Sequence, residues 1–320
     1  MMEVFTRPRD KMFKNALYIA ILLFAVLLYT SCSSKKLYGM AMEYERAGAG
    51  LQKKSITLDF GEMVYLENDV NSDITLVMIH GFGGNKDNWN RMVELWDGKY
   101  HVIAPDLPGH GESVSIKTLG YTTTQQAQRF ETFLKAKKVK NIHVLGHSMG
   151  GAIALRYVNN NTENVESLIL MDAMGIHETK SDGDILVEVS EKNPLYDVCT
   201  KERFKTLVNY SMHKIPYVPW IFKDAILAEK CERKELEKIL YEGMFQDVKL
   251  DKIAKNITVP TLIVWGEKDR IIDINNGILL HDAIKNSQMV IFEDIGHIPL
   301  LEDPKQTADT IDSFLKQIDQ

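Results

Sequence analysis

Cysteine is scarce in this sequence, with three residues in 320, and no two cysteines form a Cys-x-x-Cys pair. The sequence therefore suggests neither a disulfide-rich scaffold nor a cysteine-based metal site. A basic excess is also missing, because 38 Lys and Arg residues stand against 44 Asp and Glu residues, for a net charge of −6. This balance argues against a nucleic-acid-binding protein. Internal repeats and low-complexity stretches are absent, as in one large globular domain or one domain with an insertion.

One long apolar run is present, at Ala16–Tyr29, directly after a basic segment that contains Arg7, Arg9, Lys11 and Lys14. A basic segment, an apolar core and then small residues predict a signal peptide over residues 1–31. The run is shorter than the about 20 apolar residues of a membrane span. It ends in Leu28-Tyr-Thr-Ser-Cys32, which resembles the lipobox of bacterial lipoproteins, although Tyr29 stands where Leu, Val or Ile is usual. We therefore expect lipidation at Cys32, with an uncleaved anchor or plain secretion as alternatives.

This N-terminal segment predicts attachment to the membrane of a bacterial cell envelope, with the folded part outside the cytoplasm. Removal of residues 1–31 takes away four basic and two acidic residues, so the rest of the chain carries 34 basic and 42 acidic residues, a net charge of −8. Charge alone will not hold such a chain at an anionic surface. Any contact with lipid must be apolar or come through the anchor.

Beyond residues 32–54, which we interpret as a polar tether, short apolar runs alternate with segments of helical spacing. A hairpin is predicted at residues 55–67. Buried strands are predicted at Thr75–Ile79, Tyr100–Ala104, Ile142–Leu145, Ser167–Met171, Thr261–Trp265 and Met289–Phe292. Helices are predicted at Thr123–Lys138, Met149–Asn159, Ile274–Ile284 and Pro304–Gln317. Continuous apolar runs are typical of parallel strands buried on both faces, so this order predicts an α/β core over residues 55–173 and 259–320.

The alternation stops at residues 174–258, where no buried strand is evident. This interval has helical stretches at Lys201–Met212 and Lys223–Asp247 and an apolar run at Ile215–Phe222. We interpret the interval as a helical cap inserted between two strands. Cys199 and Cys231 lie within it, and we expect two buried free thiols, although an oxidising compartment would allow them to pair.

The motif Gly146-His-Ser148-Met-Gly150 follows a predicted strand and precedes a predicted helix. Gly-x-Ser-x-Gly in this context is typical of a nucleophile elbow, a strained turn in which flanking glycines avoid steric clashes. The helix N-terminus also directs backbone N–H groups toward a developing negative charge. We therefore predict that Ser148 is a nucleophile.

A serine nucleophile needs a base that is oriented by an acid, and in this architecture both follow the serine along the chain. His297 comes after the last predicted strand, at the same sheet edge as Ser148, and is the predicted base. The other histidines beyond Ser148 lie in the cap or within a helix: His177, His213 and His281. Asp269 follows Thr261–Trp265 and is the predicted acid, with Asp172 as the main alternative. Further candidates are Glu267 and Asp273.

Two backbone N–H groups are needed to stabilise a developing oxyanion. One should belong to Met149, directly after the nucleophile, and the other to the loop after the strand Thr75–Ile79. That loop reads His80-Gly-Phe82-Gly-Gly-Asn85, and Phe82 is the predicted second donor. We expect His80 to brace the loop rather than act as a base.

Together these segments resemble the α/β-hydrolase superfamily over roughly residues 55–317. The motifs that carry the resemblance are His80–Asp87, Asp106–Ser113, Gly146–Gly151, Trp265–Asp269 and Gly296–His297. The cap segments Lys192–Leu195 and Ile215–Pro219 are similar to those of bacterial triacylglycerol lipases of the cold-adapted type and of related monoacylglycerol lipases. The resemblance implies an α/β-hydrolase fold, with a mostly parallel eight-stranded sheet flanked by helices and a helical cap.

The same resemblance implies hydrolysis of a small-molecule or lipid ester through an acyl-enzyme, without a metal or an organic cofactor. It places Ser148, Asp269 and His297 in a catalytic triad, and Phe82 and Met149 at the oxyanion hole. Trp220 and Phe222 are candidates to line an acyl pocket, with simple packing of the cap as an equal alternative. Other Ser-Asp-His hydrolases, such as C–C bond hydrolases and proline iminopeptidases, and a non-catalytic binding protein remain alternative interpretations.

Overall fold

The computed structural model describes residues 34–176, 180–181, 184, 190 and 193–318. The predicted signal peptide, the lipidation site Cys32 and the rejected candidate His177 therefore lie outside the described residues.

The described residues form a mostly parallel sheet of eight strands, in the order β1-β2-β4-β3-β5-β6-β7-β8. The strands are β1 (Gln52–Leu58), β2 (Gly61–Glu67), β3 (Thr75–Ile79), β4 (His101–Pro105), β5 (Ile142–His147), β6 (Val165–Met171), β7 (Thr261–Gly266) and β8 (Ser287–Phe292). The strand β2 pairs antiparallel with β1 and β4, and the pairs from β4 through β8 are parallel. The predicted fold class and the predicted hairpin are confirmed.

Helices cover both faces of the sheet. They are α1 (Ser34–Gly48), α2 (Asn90–Glu94), α3 (Thr123–Lys137), α4 (Met149–Asn160), α5 (Lys201–Ser211), α6 (Trp220–Met244), α7 (Asp251–Asn256), α8 (Ile274–Ala283), α9 (Pro299–Glu302) and α10 (Pro304–Ile318). Apolar side chains of α3, α4, α7 and α8 pack on one face, and those of α2, α9 and α10 pack on the other. The central strands are buried on both sides, as continuous apolar runs require.

The last strand departs from the prediction of a fully buried run. Most of β8 is only half-buried, and Ile291 is exposed. The reason is position, because β8 lies at the edge of the sheet and pairs with β7 alone. The hydropathy of a short run does not show whether its strand is central or at an edge.

The interval between β6 and β7 contains α5, α6 and α7. Ala254 of α7 belongs to the core cluster on one face of the sheet. Cys199 and Cys231 form a disulfide with a Cα–Cα distance of 4.7 Å, so the prediction of two free thiols is wrong. The two cysteines are 32 residues apart, and sequence spacing alone gives no distance across such an interval. The bond ties the segment before α5 to the middle of α6.

The segment interpreted as a polar tether contains α1, which packs against the cap and the core. The Tyr38 ring lies 5.9 Å from the Phe222 ring of α6. Arg46 donates a hydrogen bond of 2.6 Å to the Asp87 carboxylate. The chain is thus fixed to the fold from Ser34 onward. Within the described ranges, no helix combines the length and the apolar character needed to cross a membrane.

A buried ion pair joins the loop after β3 to the loop after β4. Lys86 Nζ lies 2.7 Å from Asp106 Oδ2, and both side chains are almost completely buried. The Asp106 carboxylate also accepts hydrogen bonds from the backbone N–H groups of Lys86 and Glu112. Burial lowers the pKa of Lys86, but the carboxylates of Asp106, Glu112 and Asp87 together outweigh that effect, and the pKa is raised. A charged pair with this many donors is satisfied in the interior and fixes the relative position of the two loops.

Candidate active site

The turn between β5 and α4 holds Ser148 in a strained conformation, with φ 53° and ψ −121°. A β-carbon on Gly150 would overlap the carbonyl oxygen of Ile79, and one on Gly146 would overlap the carbonyl of Gly150. Glycine is therefore required on both sides of the turn, because β3, β5 and α4 touch through their backbones. This geometry is the nucleophile elbow that the motif predicts.

The three side chains predicted as a triad are brought together by three loops at the carboxyl edge of the sheet. His297 Nε2 lies 2.9 Å from Ser148 Oγ, and His297 Nδ1 lies 2.8 Å from Asp269 Oδ2. The other oxygen of Asp269 accepts the N–H groups of Ile271 and Ile272 at 2.7 and 2.9 Å. With Nδ1 protonated toward Asp269, Nε2 is the nitrogen that accepts the proton of Ser148.

Asp172, the main alternative acid, lies at the end of β6 and is completely buried. One of its oxygens accepts the N–H of Gly266 at 2.8 Å. Burial, and then the charge of Asp269, raise the pKa of Asp172 well above its usual range. The surroundings of Asp172 thus disfavour its charged form, and it is Asp269 that contacts His297. The further candidates lie elsewhere: Asp273 caps the start of α8, and Glu267 pairs with Lys268.

The donor atoms of Asp172, Asp269 and His297 all lie within 4.8 Å of one another. In the described part of the chain, this is the one group of three side chains close enough to share a metal ion. Both imidazole nitrogens of His297 are already engaged, by Asp269 and by Ser148. The arrangement therefore fits proton transfer better than metal ligation.

The loop that carries Phe82 lies directly over the elbow. A β-carbon on Gly81 would approach the side chains of His147 and Ser148 to within 3.0 Å. His80 Nδ1 donates to the Gly81 carbonyl at 2.8 Å, and His80 Nε2 accepts the N–H of Leu107 at 3.1 Å, so His80 braces the loop as expected.

Met149 is the first residue of α4, and its N–H is one of the amides at a helix start that have no acceptor within the helix. Phe82 lies on the adjoining loop, two residues beyond His80. The structure thus places both residues predicted for the oxyanion hole beside Ser148. Their role in stabilising an oxyanion stays a prediction.

Two further residues support the site and were missed by the sequence analysis. His147 is buried, and its Nε2 donates to the backbone carbonyl of His297 at 2.7 Å. Lys230 of α6 donates to the carbonyl of Gly83 at 3.2 Å, which joins the cap to the loop of Phe82. Neither residue belongs to a periodic pattern that would predict its contact. His147 occupies the first variable position of Gly-x-Ser-x-Gly, where the motif does not specify the residue type.

A cavity of about 710 Å³ opens beside Ser148 and His297 and is roofed by the cap. The cap contributes apolar side chains to its wall: Phe204, Leu207, Val208, Met212, Ile226 and Leu227. Trp220 also lines this cavity, as the sequence analysis proposed. A largely apolar cavity of this size is typical of a site for a small molecule or a lipid chain.

The prediction that Phe222 lines the same pocket as Trp220 is wrong. Its ring packs on Tyr38 and lines a second cavity of about 290 Å³ between α1 and α6, and it is not part of the wall around Ser148. The reason is helical phase, because two residues along an α-helix turn the side chain by about 200°. Trp220 and Phe222 therefore point to different sides of α6.

We expect the protein to lose stability in mild acid because three of its buried histidines have lowered pKa values: His80, His110 and His147. Burial lowers the pKa of each, that of His147 to about 3. The folded state keeps these groups neutral, whereas the unfolded chain binds protons below about pH 6.5. The free energy of unfolding should therefore fall as the pH drops below that value, by up to about 1.4 kcal/mol per pH unit for each histidine.

Urea denaturation at several pH values measures this dependence. His147→Gln keeps an amide donor near the position of Nε2 for the His297 carbonyl but removes one titrating group, so its unfolding free energy should depend less steeply on pH. An unchanged slope in this variant would contradict the assignment of His147 as a buried neutral group.

Trp220→Ala should weaken the hydrolysis of long-chain p-nitrophenyl esters more than that of acetate esters, because the indole lines the cavity beside Ser148. The loss on long chains should be about tenfold in kcat/KM, the expected effect of removing part of a large apolar contact. Tyr217→Ala is the matched control, because Tyr217 is not part of the wall of that cavity. Equal losses on short and long esters would instead indicate that Trp220 only packs the cap.

Comparison with known proteins agrees with this geometry. Residues 74–197 and 213–304 match the family with the α/β hydrolase fold. Lipase 1 of Psychrobacter immobilis is 38% identical over 277 residues, which cover 85% of this chain and 87% of that protein. Lipase 3 of Moraxella sp. (strain TA144) is 36% identical with the same coverage.

Among solved structures, a membrane phospholipase A described as a bacterial virulence factor superposes with a TM-score of 0.86 at 32% identity. The superposition covers 97% of this chain and 99% of that one. From the match to the family, the identity to the two lipases and the superposition, this chain belongs to the α/β-hydrolase fold family.

Proposed function

We propose that this protein is a membrane-attached lipase that cleaves acyl esters of glycerolipids through an acyl-enzyme formed on Ser148. It is a carboxylic ester hydrolase. The observation that carries the proposal is the continuous hydrogen-bonded chain from Ser148 through His297 to Asp269 at the end of a large apolar cavity. The two lipases named above support the choice of an ester substrate.

The reaction follows from the positions of the protons. Ser148 Oγ attacks the ester carbonyl while His297 Nε2 takes the hydroxyl proton. Asp269 stays ionised and stabilises the imidazolium through Nδ1–H. The N–H groups of Phe82 and Met149 donate to the oxyanion of the tetrahedral intermediate. His297 then gives its proton to the departing alcohol, and the acyl group remains on Ser148.

Deacylation reverses these roles with water as the nucleophile. His297 takes a proton from the water, which attacks the acyl carbonyl, and then returns the proton to Ser148 Oγ as the fatty acid leaves. Asp172 lies beside the pair of His297 and Asp269 without contacting the imidazole, and its burial raises its pKa.

Fluorophosphonate labelling together with kinetics on mono- and triacylglycerols of increasing acyl length tests this function. Ser148→Ala should abolish labelling and lower kcat by at least about 10⁴-fold, as in other serine hydrolases that lose the nucleophile. Ser313→Ala, at a surface serine of α10, is the matched control and should behave as the native chain. Retention of most of the native activity by Ser148→Ala would contradict the mechanism. Hydrolysis of aminoacyl-naphthylamides or dienones in place of glycerides would favour a proline iminopeptidase or a C–C bond hydrolase.

The membrane attachment is part of the proposal and rests on the N-terminal sequence. We propose a lipoprotein-type signal peptide over residues 1–31, lipidation of Cys32, and a cap and core divided at residues 174 and 258. The disulfide between Cys199 and Cys231 supports a location outside the cytoplasm, since disulfides persist in oxidising compartments. The membrane phospholipase A that superposes on this chain supports a site of action at a membrane.

The intact mass of the chain extracted from membranes tests the lipidation. We expect the mass of residues 32–320 with added acyl groups. Cys32→Ser should retain residues 1–31, because the lipoprotein signal is cleaved only at an acylated cysteine. Retention of residues 1–31 in both proteins would establish the uncleaved anchor, and an unmodified shorter chain in the medium would establish secretion.

A further inference from the structure

The apolar run Ile215–Phe222, which joins α5 to α6 in the cap, exposes three large side chains. The exposed fraction is 86% for Tyr217, 65% for Trp220 and 45% for Ile215. Pro216 and Val218 alternate with them and line both cavities. The segment therefore presents one side to the interior and the other to solvent. We call Ile215, Tyr217 and Trp220 the cap rim.

The cap rim lies at the edge of the cavity that contains Ser148. Ile215 and Trp220 contribute to the wall of that cavity and are exposed to solvent at the same time. A Trp and a Tyr in such a position have an apolar body and a polar tip, the combination that is enriched where protein meets the interface of a bilayer. Large exposed apolar groups beside an apolar cavity also mark a contact surface rather than ordinary surface.

The predicted attachment point holds the cap rim close to the membrane. The proposed lipidation site Cys32 stands two residues before α1 begins at Ser34. Two residues span at most roughly 7 Å when fully extended. Packing of Tyr38 on Phe222, with an ion pair between Lys35 and Glu232, fixes α1 on α6, the helix whose first residue is Trp220.

Charge favours an apolar contact over an electrostatic one. Without residues 1–31 the chain has a net charge of −8, which opposes binding to an anionic surface. Next to the cap rim in sequence, however, stand the cations Lys214 and Lys223. Long basic side chains can extend toward lipid phosphates while the apolar groups beside them insert.

We propose that the cap rim docks into the interface of the lipid bilayer, so that the cavity beside Ser148 opens onto the membrane and takes its substrate from there. This inference rests on the proposed membrane attachment and adds the surface through which lipid enters. The partner that contacts the cap rim is the lipid bilayer of the membrane to which the chain is attached.

Trp220 is a built-in reporter of this contact. The chain has four tryptophans, and the other three, Trp89, Trp96 and Trp265, are buried. The experiment uses the full chain with Ser148→Ala, which leaves lipids intact, reconstituted in dioleoylphosphatidylcholine vesicles with and without brominated acyl chains. Trp220 emission should be quenched by bromines near the headgroup boundary and shielded from aqueous acrylamide. Because the contact is apolar, the quenching should persist at raised ionic strength.

Trp220→Phe in the same background is the control and should lose the quenched component. Emission from Trp220 that responds to acrylamide and not to brominated lipid would overturn the proposal. The readout is independent of ester hydrolysis, so a failure of the proposed lipase activity would leave this result interpretable.

Tyr217→Ser gives a second measurement, because Tyr217 is exposed and does not line the cavity beside Ser148. This variant should lose about tenfold in rate on a diacylglycerol embedded in vesicles, the effect of removing an interfacial apolar contact. Its rate on water-soluble p-nitrophenyl butyrate should equal that of the native chain. Equal rates of variant and native chain on the embedded substrate would overturn the proposal.

Discussion

The close approach of three backbone segments at the elbow is the constraint on which the rest of the site depends. Gly150 lies against the carbonyl of Ile79, and Gly146 lies against the first turn of α4. The carbonyl of Ser148 accepts the N–H of Met174, so the strained turn is also bound to the segment that leads into the cap. A single added methyl group would push α4 away from the sheet. It would also change the distance between Ser148 and the loop of Gly81 and Phe82.

Given that geometry, the two carboxyl groups at the sheet edge have different surroundings. Asp172 and Asp269 both lie near one imidazole, and burial together with the charge of Asp269 raises the pKa of Asp172. Asp269 accepts two backbone N–H groups and contacts the imidazole. Asp172 accepts one backbone N–H and does not contact the imidazole. The division of roles follows from the number of donors and not from the residue type.

The sequence predicted the parts of this protein that depend on local pattern. Apolar runs identified the parallel strands, and the order of Ser148, Asp269 and His297 along the chain anticipated their meeting at one edge. Contacts between segments that lie far apart in the sequence could not be predicted from such patterns. The disulfide between Cys199 and Cys231, the hydrogen bond from His147 to His297 and the packing of α1 all join segments whose separation no periodicity encodes. The position of Phe222 at the second cavity, away from Trp220, depends on the phase of α6, which one apolar run does not fix.

The disulfide in the cap also makes the structure of the cavity roof depend on the compartment in which the chain folds. Cys199 and Cys231 close a loop of 32 residues around α5. A chain made and kept in a reducing cytosol would lack that closure, and its cap would be held by non-covalent contacts alone. A chain that has passed into an oxidising space would carry a stiffer roof over Ser148. The oxidation state of Cys199 and Cys231 therefore depends on the compartment in which the chain folds. Protein prepared from an oxidising and from a reducing compartment would differ in the stiffness of the cap.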